Sequence, residues 1–353
     1  MKKYAFFSNM VNSRFDPAAV LDLSTGGKAL IISDLHMGSG RRDDLAYNGP
    51  LLTAMLEQYY LSGGWYVVLN GDIEELQKYS LGSIRKQWPY LYRIFNAFAA
   101  ENRLFKTLGN HDAELIFEKD YPYPLYEVIR IETGLIPLYV YHGHQSSRFY
   151  TRYENLIRAG LRYILKPIGI RNISSARSPY RRFSVERQAY AFSMENNCIS
   201  VIGHTHRALF ESLGRFDYIK FEIERLCRDY PASAPEERER IAAEVHALRG
   251  ELGKLKHSER RDVLRQSLYG DEMPVPCLFN SGHAIGKKGI TAIEVDREGI
   301  SLVYWFPEGG GRKFIKRGRY TLEKLGETPY RRAVLNQDRL DYIKARIELL
   351  GNH

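Results

Sequence analysis

The 353-residue chain is 44% hydrophobic, ample for a buried core in one large domain or two modest ones. Its formal net charge of +9 favours anionic partners, and most of the excess sits in residues 148–187, where ten basic side chains stand against two acidic ones. Three widely spaced cysteines, odd in number, suggest neither a disulfide framework nor a thiolate zinc site. No apolar run approaches the roughly 18 residues that span a bilayer, and Tyr4-Ala5-Phe6-Phe7 is too brief for a secretion signal, so a cytoplasmic setting is expected.

In chain order, the apolar run 29–32 predicts a buried strand that ends at Asp34 and His36. A helix is expected over 51–61, begun by Pro50 and stopped by Gly63-Gly64, and then a strand at 66–69 that delivers Asp72. The unit repeats with a helix over 84–100 and a strand at 104–107, followed by Gly109-Asn110-His111-Asp112. Three successive strands thus present polar residues at their carboxyl ends, where α/β folds place their chemistry. Paired strands are expected at 128–131 and 138–141, the second leading into His142 and His144. The basic segment reads as a helical cap over 145–198, with helices at 149–165 and 183–194 around Pro167, Gly169 and Pro179. Residues 199–202 return as a strand that ends at His204 and His206.

A second insertion, 214–270, carries Ile241, Val245, Leu248, Leu252 and Leu255, which step by four and three like a coiled-coil seam. It reads as half of a helical hairpin or as a homodimer contact, with Gly250 and Gly253 weighing against one long helix. Strands are expected again at 277–279, 290–295 and 301–306, and a helix at 331–350. The chain divides into a main domain, 1–315, which holds both insertions, and a C-terminal tail and helix, 316–353.

Six of the ten histidines fall in five short blocks: Ser33-Asp34-Leu35-His36, Asn70-Gly71-Asp72, Gly109-Asn110-His111-Asp112, Tyr141-His142-Gly143-His144 and Gly203-His204-Thr205-His206. Singly, Asp34 and Asp72 would pass as caps after strands and Gly71 and Gly109 as turn glycines. The ordered set is not explained that way. Residues two apart at a strand end project to one side, so Asp34 and His36 can face one ion, and His204 and His206 can do the same from another strand. Asp72 is the candidate to bridge two ions, while Asn110 offers an amide oxygen and His142 an imidazole nitrogen. Two divalent cations roughly 3.5–4 Å apart would neutralise a phosphoryl group and make hydroxide available near neutral pH. Mixed His, Asp and Asn donors without thiolates suit Mn, Fe, Zn or Co.

The order of these blocks, D-x-H, G-D, G-N-H-D, H and G-H-x-H from Asp34 to His206, resembles the calcineurin-like metallophosphoesterase superfamily. The resemblance implies a layered α/β (α+β) fold, a β-sandwich flanked by helices, here with a helical cap and a helical-hairpin insertion, and it makes 1–315 the catalytic domain. It implies one ion held by Asp34, His36, Asp72 and His206 and another held by Asp72, Asn110, His142 and His204. It also implies that His111 is the catalytic histidine and that Asp112 orients it. The expected reaction is hydrolysis of a phosphodiester or pyrophosphate bond by in-line attack of a metal-bridging hydroxide. A phosphomonoesterase or nuclease of the same superfamily is the alternative, and a scaffold without catalysis is the least favoured reading.

The cap is placed like that of the UDP-2,3-diacylglucosamine hydrolases, a branch whose cap binds acyl chains and a nucleotide sugar, although His111 stands where that branch usually carries arginine. A basic, aromatic-rich cap suits a phosphorylated small molecule, a nucleotide or a lipid-linked phosphate met at a membrane surface. Nucleic acid is the less favoured partner. His144, Arg148, Arg177 and Arg207 are candidate substrate contacts, set against a structural role for His144 and a surface ion pair for Arg207. Asn280-Ser281-Gly282 reads as a structural turn.

Overall fold

In the computed structural model the described residues are 19–39, 44–146, 179–210, 219, 223, 224, 226, 227, 230–266, 275–286, 289–309, 320 and 322–350. They form two compact units, one of residues 1–210 and 277–353 and one of residues 211–276.

The first unit has two mixed sheets flanked by helices. Thirteen strands are present among the described residues: β1 (Ala19–Asp22), β2 (Lys28–Ile32), β3 (Tyr66–Asn70), β4 (Leu104–Thr107), β5 (Ile129–Glu132), β6 (Leu138–Val140), β7 (Ile199–Ile202), β8 (Leu209–Phe210), β9 (Leu278–Asn280), β10 (Ile290–Asp296), β11 (Gly299–Pro307), β12 (Leu322–Lys324) and β13 (Tyr330–Arg339). One sheet runs β12-β13-β11-β10-β2-β3-β4 and the other β1-β5-β6-β7-β9-β8. Each contains three consecutive parallel strands, β2-β3-β4 in the first and β6-β7-β9 in the second. The chemistry-bearing blocks lie just past the carboxyl ends of these strands, as the buried-strand reading predicts.

The apolar runs form strands because both faces of the central ones are covered. Leu30 and Ile32 of β2 and Val67 and Leu69 of β3 pack with Leu52, Met55, Phe95 and Phe98 of the flanking helices. Ala29, Ile31 and Val68 are buried on the opposite face. On the second sheet α4 (Pro179–Glu195) lays Val185, Ala189 and Phe192 against Tyr141, Ile202 and Leu278. Each fully buried Val, Leu, Ile, Met or Phe among them contributes about 1.5–3 kcal/mol.

Four expectations need correction. The helix at 51–61 starts as α1 (Gly49–Met55) and continues through Leu61 in a wider π-helical form. The helix at 84–100 is two, α2 (Leu81–Gln87) and α3 (Pro89–Ala100), because Pro89 lacks the N–H that a continuous helix requires and disfavours helical backbone at Trp88 (φ −119°, ψ 44°). Residues 330–339 are strand, with the helix confined to α6 (Leu340–Leu350); antiparallel pairing with β11 draws the expected tail into the sheet. In the second unit, α5 (Pro235–Gln266) runs unbroken through Gly250 and Gly253. No helix among the described residues is long and apolar enough to cross a membrane. The helix expected at 149–165 lies outside the described residues.

Candidate metal centre

The loops that follow the parallel strands are tied together by their own backbone. Past β2 and β3, Asp34 N–H donates to Gly71 O at 3.1 Å, His36 N–H to Asp72 O at 3.0 Å and Met37 N–H to Ile73 O at 2.8 Å, so strand pairing continues into the loops. Past β6, β7 and β9, Gly203 N–H donates to His142 O at 3.1 Å and Ser281 N–H to Ile202 O at 3.2 Å. The two sheets are joined at this level by Asn70 Nδ2 donating to Tyr141 O at 3.1 Å, by the His142 Nδ1 contact with Asn70 O at 2.9 Å, and by Ser33 Oγ against Ser281 Oγ at 2.8 Å.

Five site residues hold left-handed backbone: Asp34 (φ 54°), His36 (46°), Asp72 (53°), His204 (63°) and His206 (55°). Such conformations are uncommon outside glycine and gather at functional sites when the surroundings enforce them. Two glycines permit the close approach of these loops. A Cβ on Gly109 would lie 2.2 Å from Asp72 Oδ1, and one on Gly203 would lie 2.5 Å from Ser33 Oγ and 2.7 Å from Asp34 Oδ2.

Asp34, buried, accepts at Oδ2 from Ser33 Oγ (2.5 Å) and from His204 N–H (3.0 Å), while its Oδ1 lies 3.0 Å from His206 Nε2 and 3.9 Å from His36 Nε2. The Nε2 atoms of His36 and His206 approach to 3.1 Å. Asp72 accepts at Oδ1 from His111 N–H (2.7 Å), and its Oδ2 is 3.1 Å from His142 Nε2 and 4.0 Å from both His36 Nε2 and His111 Nε2. Among the described residues, three groupings therefore bring donor atoms within 4.8 Å of one another: Asp34, His36 and His206; His36, Asp72 and His111; Asp72, His142 and His204.

The donor set fits divalent cations. Asp34 Oδ1, Asn110 Oδ1 and His142 Nε2 are buried with no hydrogen-bond partner, although buried polar atoms ordinarily have one. With the His142 Nδ1 proton given to Asn70 O, Nε2 faces the Asp72 carboxylate, where either a proton or a metal cation would supply the positive charge between them. The electrostatics agree. Burial opposes charge on His142, but Asp72 and Asp34 outweigh it and hold its pKa at about 9. Burial likewise opposes ionisation of Asp34 and Asp72, yet neighbouring histidines hold both carboxyls below the usual range. Burial and then His142 push His204 down to about 3, and burial with His142 and His204 lowers His144.

The structure gathers Asp34, His36, Asp72, Asn110, His142, His204 and His206 at the ends of five strands, with His111 beside them. His144 is buried near His142 and His204, at ring distances of 5.6 and 6.4 Å. Arg207 is half-exposed and makes a two-pronged ion pair with the buried Glu186 at 3.2 and 2.7 Å. Arg148 and Arg177 lie outside the described residues. Asn280 and Ser281 brace the site, Asn280 Nδ2 donating to Gly203 O (2.9 Å) and to Thr205 Oγ1 (3.0 Å).

Asp112 does not orient His111. Its carboxylate accepts from Gly109 N–H (2.6 Å), from Ile73 N–H (2.9 Å) and from the fully buried Lys106 Nζ (2.8 Å), which also reaches Glu74 Oε2 at 2.9 Å. The partner of His111 Nδ1 is Glu75 Oε1, at 2.9 Å. Glu75, Lys106 and His283 were absent from the sequence reading. Three carboxylates within Asp72-Ile73-Glu74-Glu75 at a buried strand end, and a lysine inside an apolar strand, were the available signals. His283 follows the Asn280-Ser281-Gly282 turn and stands 5.8 Å from His206.

No protein-family model matches the chain, and no curated protein does. Among solved structures it is similar to YfcE, a phosphoesterase from E. coli, with 13% identity over 78% of this chain and 91% of that one and a TM-score of 0.33. It is also similar to a protein of unknown function from Aquifex aeolicus, with 17% identity over 52% of this chain and 81% of that one and a TM-score of 0.30.

Proposed function

We propose that the protein is a phosphoesterase dependent on two divalent cations. The observation that carries this reading is the inward convergence of ligating atoms: the paired Nε2 atoms of His36 and His206, the Asp72 carboxylate against His142 Nε2, and the buried oxygens of Asp34 and Asn110. Asp34, His36 and His206 would hold one cation, and Asn110, His142 and His204 the other. Asp72, whose Oδ2 faces both His142 and His36, would serve the two together. Bound cations supply charge neutralisation at phosphoryl oxygens and lower the pKa of water.

His111 has the geometry of a proton carrier. Its Nδ1 is committed to Glu75 and its Nε2 faces the centre, 4.0 Å from Asp72 Oδ2. Burial lowers its pKa, but Asp72 and Glu75 outweigh burial and raise it, and Nε2 is the atom from which a proton would pass to a departing oxygen. A phosphodiester or pyrophosphate bond is proposed from the resemblance of the five sequence blocks, and the basic cap residues are proposed to contact the rest of the substrate.

The test is Mn²⁺ titration with hydrolysis of bis(p-nitrophenyl) phosphate and p-nitrophenyl phosphate, in wild type and Asp72→Ala. The diester should be cleaved faster, and Asp72→Ala should lose both cation binding and turnover. His111→Ala should retain Mn²⁺ while turnover falls by roughly 10²–10⁴-fold. If neither ester is cleaved with any divalent cation, or if Asp72→Ala binds Mn²⁺ like wild type, the reading fails.

A further inference from the structure

Glu75 is almost wholly buried and divides its carboxylate between two imidazoles. Oε2 lies 3.1 Å from His36 Nδ1 and Oε1 lies 2.9 Å from His111 Nδ1. Its own N–H donates to Met37 O at 2.9 Å, so the loop carrying His36 also holds the Glu75 backbone. Lys78 Nζ approaches Oε2 from the surface at 3.2 Å. The His36 and His111 rings meet edge to face, with centroids 4.6 Å apart and planes at 89°.

A neutral imidazole carries one N–H. Because Glu75 accepts at both Nδ1 atoms, each ring turns its Nε2 to the centre, His36 towards His206 and Asp34 as a ligating atom, His111 towards Asp72 as the atom that takes up and gives up a proton. One rigid carboxylate therefore selects the tautomer and the tilt of two rings with different tasks. Neither ring can turn without disturbing the oxygen pair that holds the other.

We propose that Glu75 is a positioning residue that couples cation affinity at the Asp34, His36 and His206 position to the reactivity of His111. The proposal rests on the two-cation phosphoesterase reading. An outer carboxylate that fixes a ligating histidine commonly accounts for 10–100-fold in metal affinity, and one that orients a proton-transferring histidine for up to about 10⁴-fold in turnover. Here one side chain would set both.

Glu75→Gln disturbs both tasks, because an amide of the same size has one acceptor oxygen and an NH₂ group that cannot accept. The single oxygen can serve either imidazole, so neither ring keeps the fixed tautomer that the paired carboxylate oxygens impose. Calorimetric Mn²⁺ titration of the full chain should show affinity reduced roughly 10–100-fold. At saturating Mn²⁺, kcat for bis(p-nitrophenyl) phosphate should fall roughly 10²-fold or more with KM little changed. Since Glu75 acts on turnover through His111, Glu75→Gln combined with His111→Ala should turn over within about threefold of His111→Ala alone. Glu75→Asp keeps both acceptor oxygens on a shorter stem and should give smaller, parallel losses in affinity and kcat; it serves if the glutamine variant does not fold.

Wild-type Mn²⁺ affinity or wild-type kcat in Glu75→Gln overturns the proposal, as does a response of only one property in Glu75→Asp, or losses that multiply in the double variant. If wild type binds Mn²⁺ but hydrolyses neither ester, the functional reading fails instead, and the affinity loss in Glu75→Gln still decides whether the carboxylate supports His36.

Discussion

Replacing Lys106 with methionine should destabilise the first unit by about 3 kcal/mol. The Lys106 ammonium is fully buried, 2.9 Å from Glu74 Oε2 and 2.8 Å from Asp112 Oδ2. Methionine fills most of the volume but leaves two buried carboxylates without their cation, and removing one member of a buried ionic group typically costs about 3–5 kcal/mol. The remaining donors point to the lower end of that range. Glu74 keeps the hydroxyls of Tyr92 at 3.1 Å and Tyr121 at 2.8 Å, and Asp112 keeps the N–H groups of Ile73 and Gly109. Burial disfavours the charged lysine, but Asp112 and Glu74 outweigh it and raise its pKa. A raised folded-state pKa contributes stability that is intact below the unfolded value of about 10.4 and is lost only as pH rises beyond it, so pH 7 is suitable for the comparison. Urea unfolding followed by tryptophan fluorescence is the assay, since Trp65, Trp88 and Trp305 all belong to this unit. Glu74→Gln added to Lys106→Met should recover part of the loss. A single variant within about 1 kcal/mol of wild type would refute the reasoning.

The pKa of His142, raised from 6.5 to about 9, makes the metal-free protein pH-sensitive. Its contribution, about 3 kcal/mol, should be fully present below pH 6.5 and disappear as pH rises through about 9, while Mn²⁺ affinity rises over the same interval as the proton leaves. Thermal unfolding of chelator-treated protein should show a melting temperature that declines across that window; a flat profile would contradict the assignment. Gly109→Ala should lose bound metal and about 1–3 kcal/mol of stability, because its methyl would lie 2.2 Å from Asp72 Oδ1. Metal analysis after dialysis reads the first effect, and wild-type retention would count against the close loop approach.

The parallel strands were legible because burial on both faces produces uninterrupted apolar runs such as Ala29-Leu30-Ile31-Ile32. Strand β13 was not, because its arginines, leucine, alanine and glutamine are ordinary helix formers and its conformation is decided by distant pairing with β11. The two-residue β8 is too short to carry a period. At the site, the donors were legible as residue types recurring after strands. Asp112 was misread because adjacency in sequence does not reveal direction: its carboxylate turns inward to Lys106, while the partner of His111 comes from another strand's loop. Glu75 carries no motif of its own and is recognisable only through what it touches.

The left-handed backbone at Asp34, His36, Asp72, His204 and His206 also limits how this centre can change. An L-residue in that region costs about 1–2 kcal/mol relative to glycine, less for aspartate than for a branched residue. Five such positions compete with a net stability of about 5–15 kcal/mol, so the surrounding layers must carry a burden unrelated to holding the chain together. Selection for thermal endurance alone should therefore erode the centre, replacing its donors with glycine or asparagine, whereas selection for chemistry should keep the protein short of the stability its layers could otherwise reach.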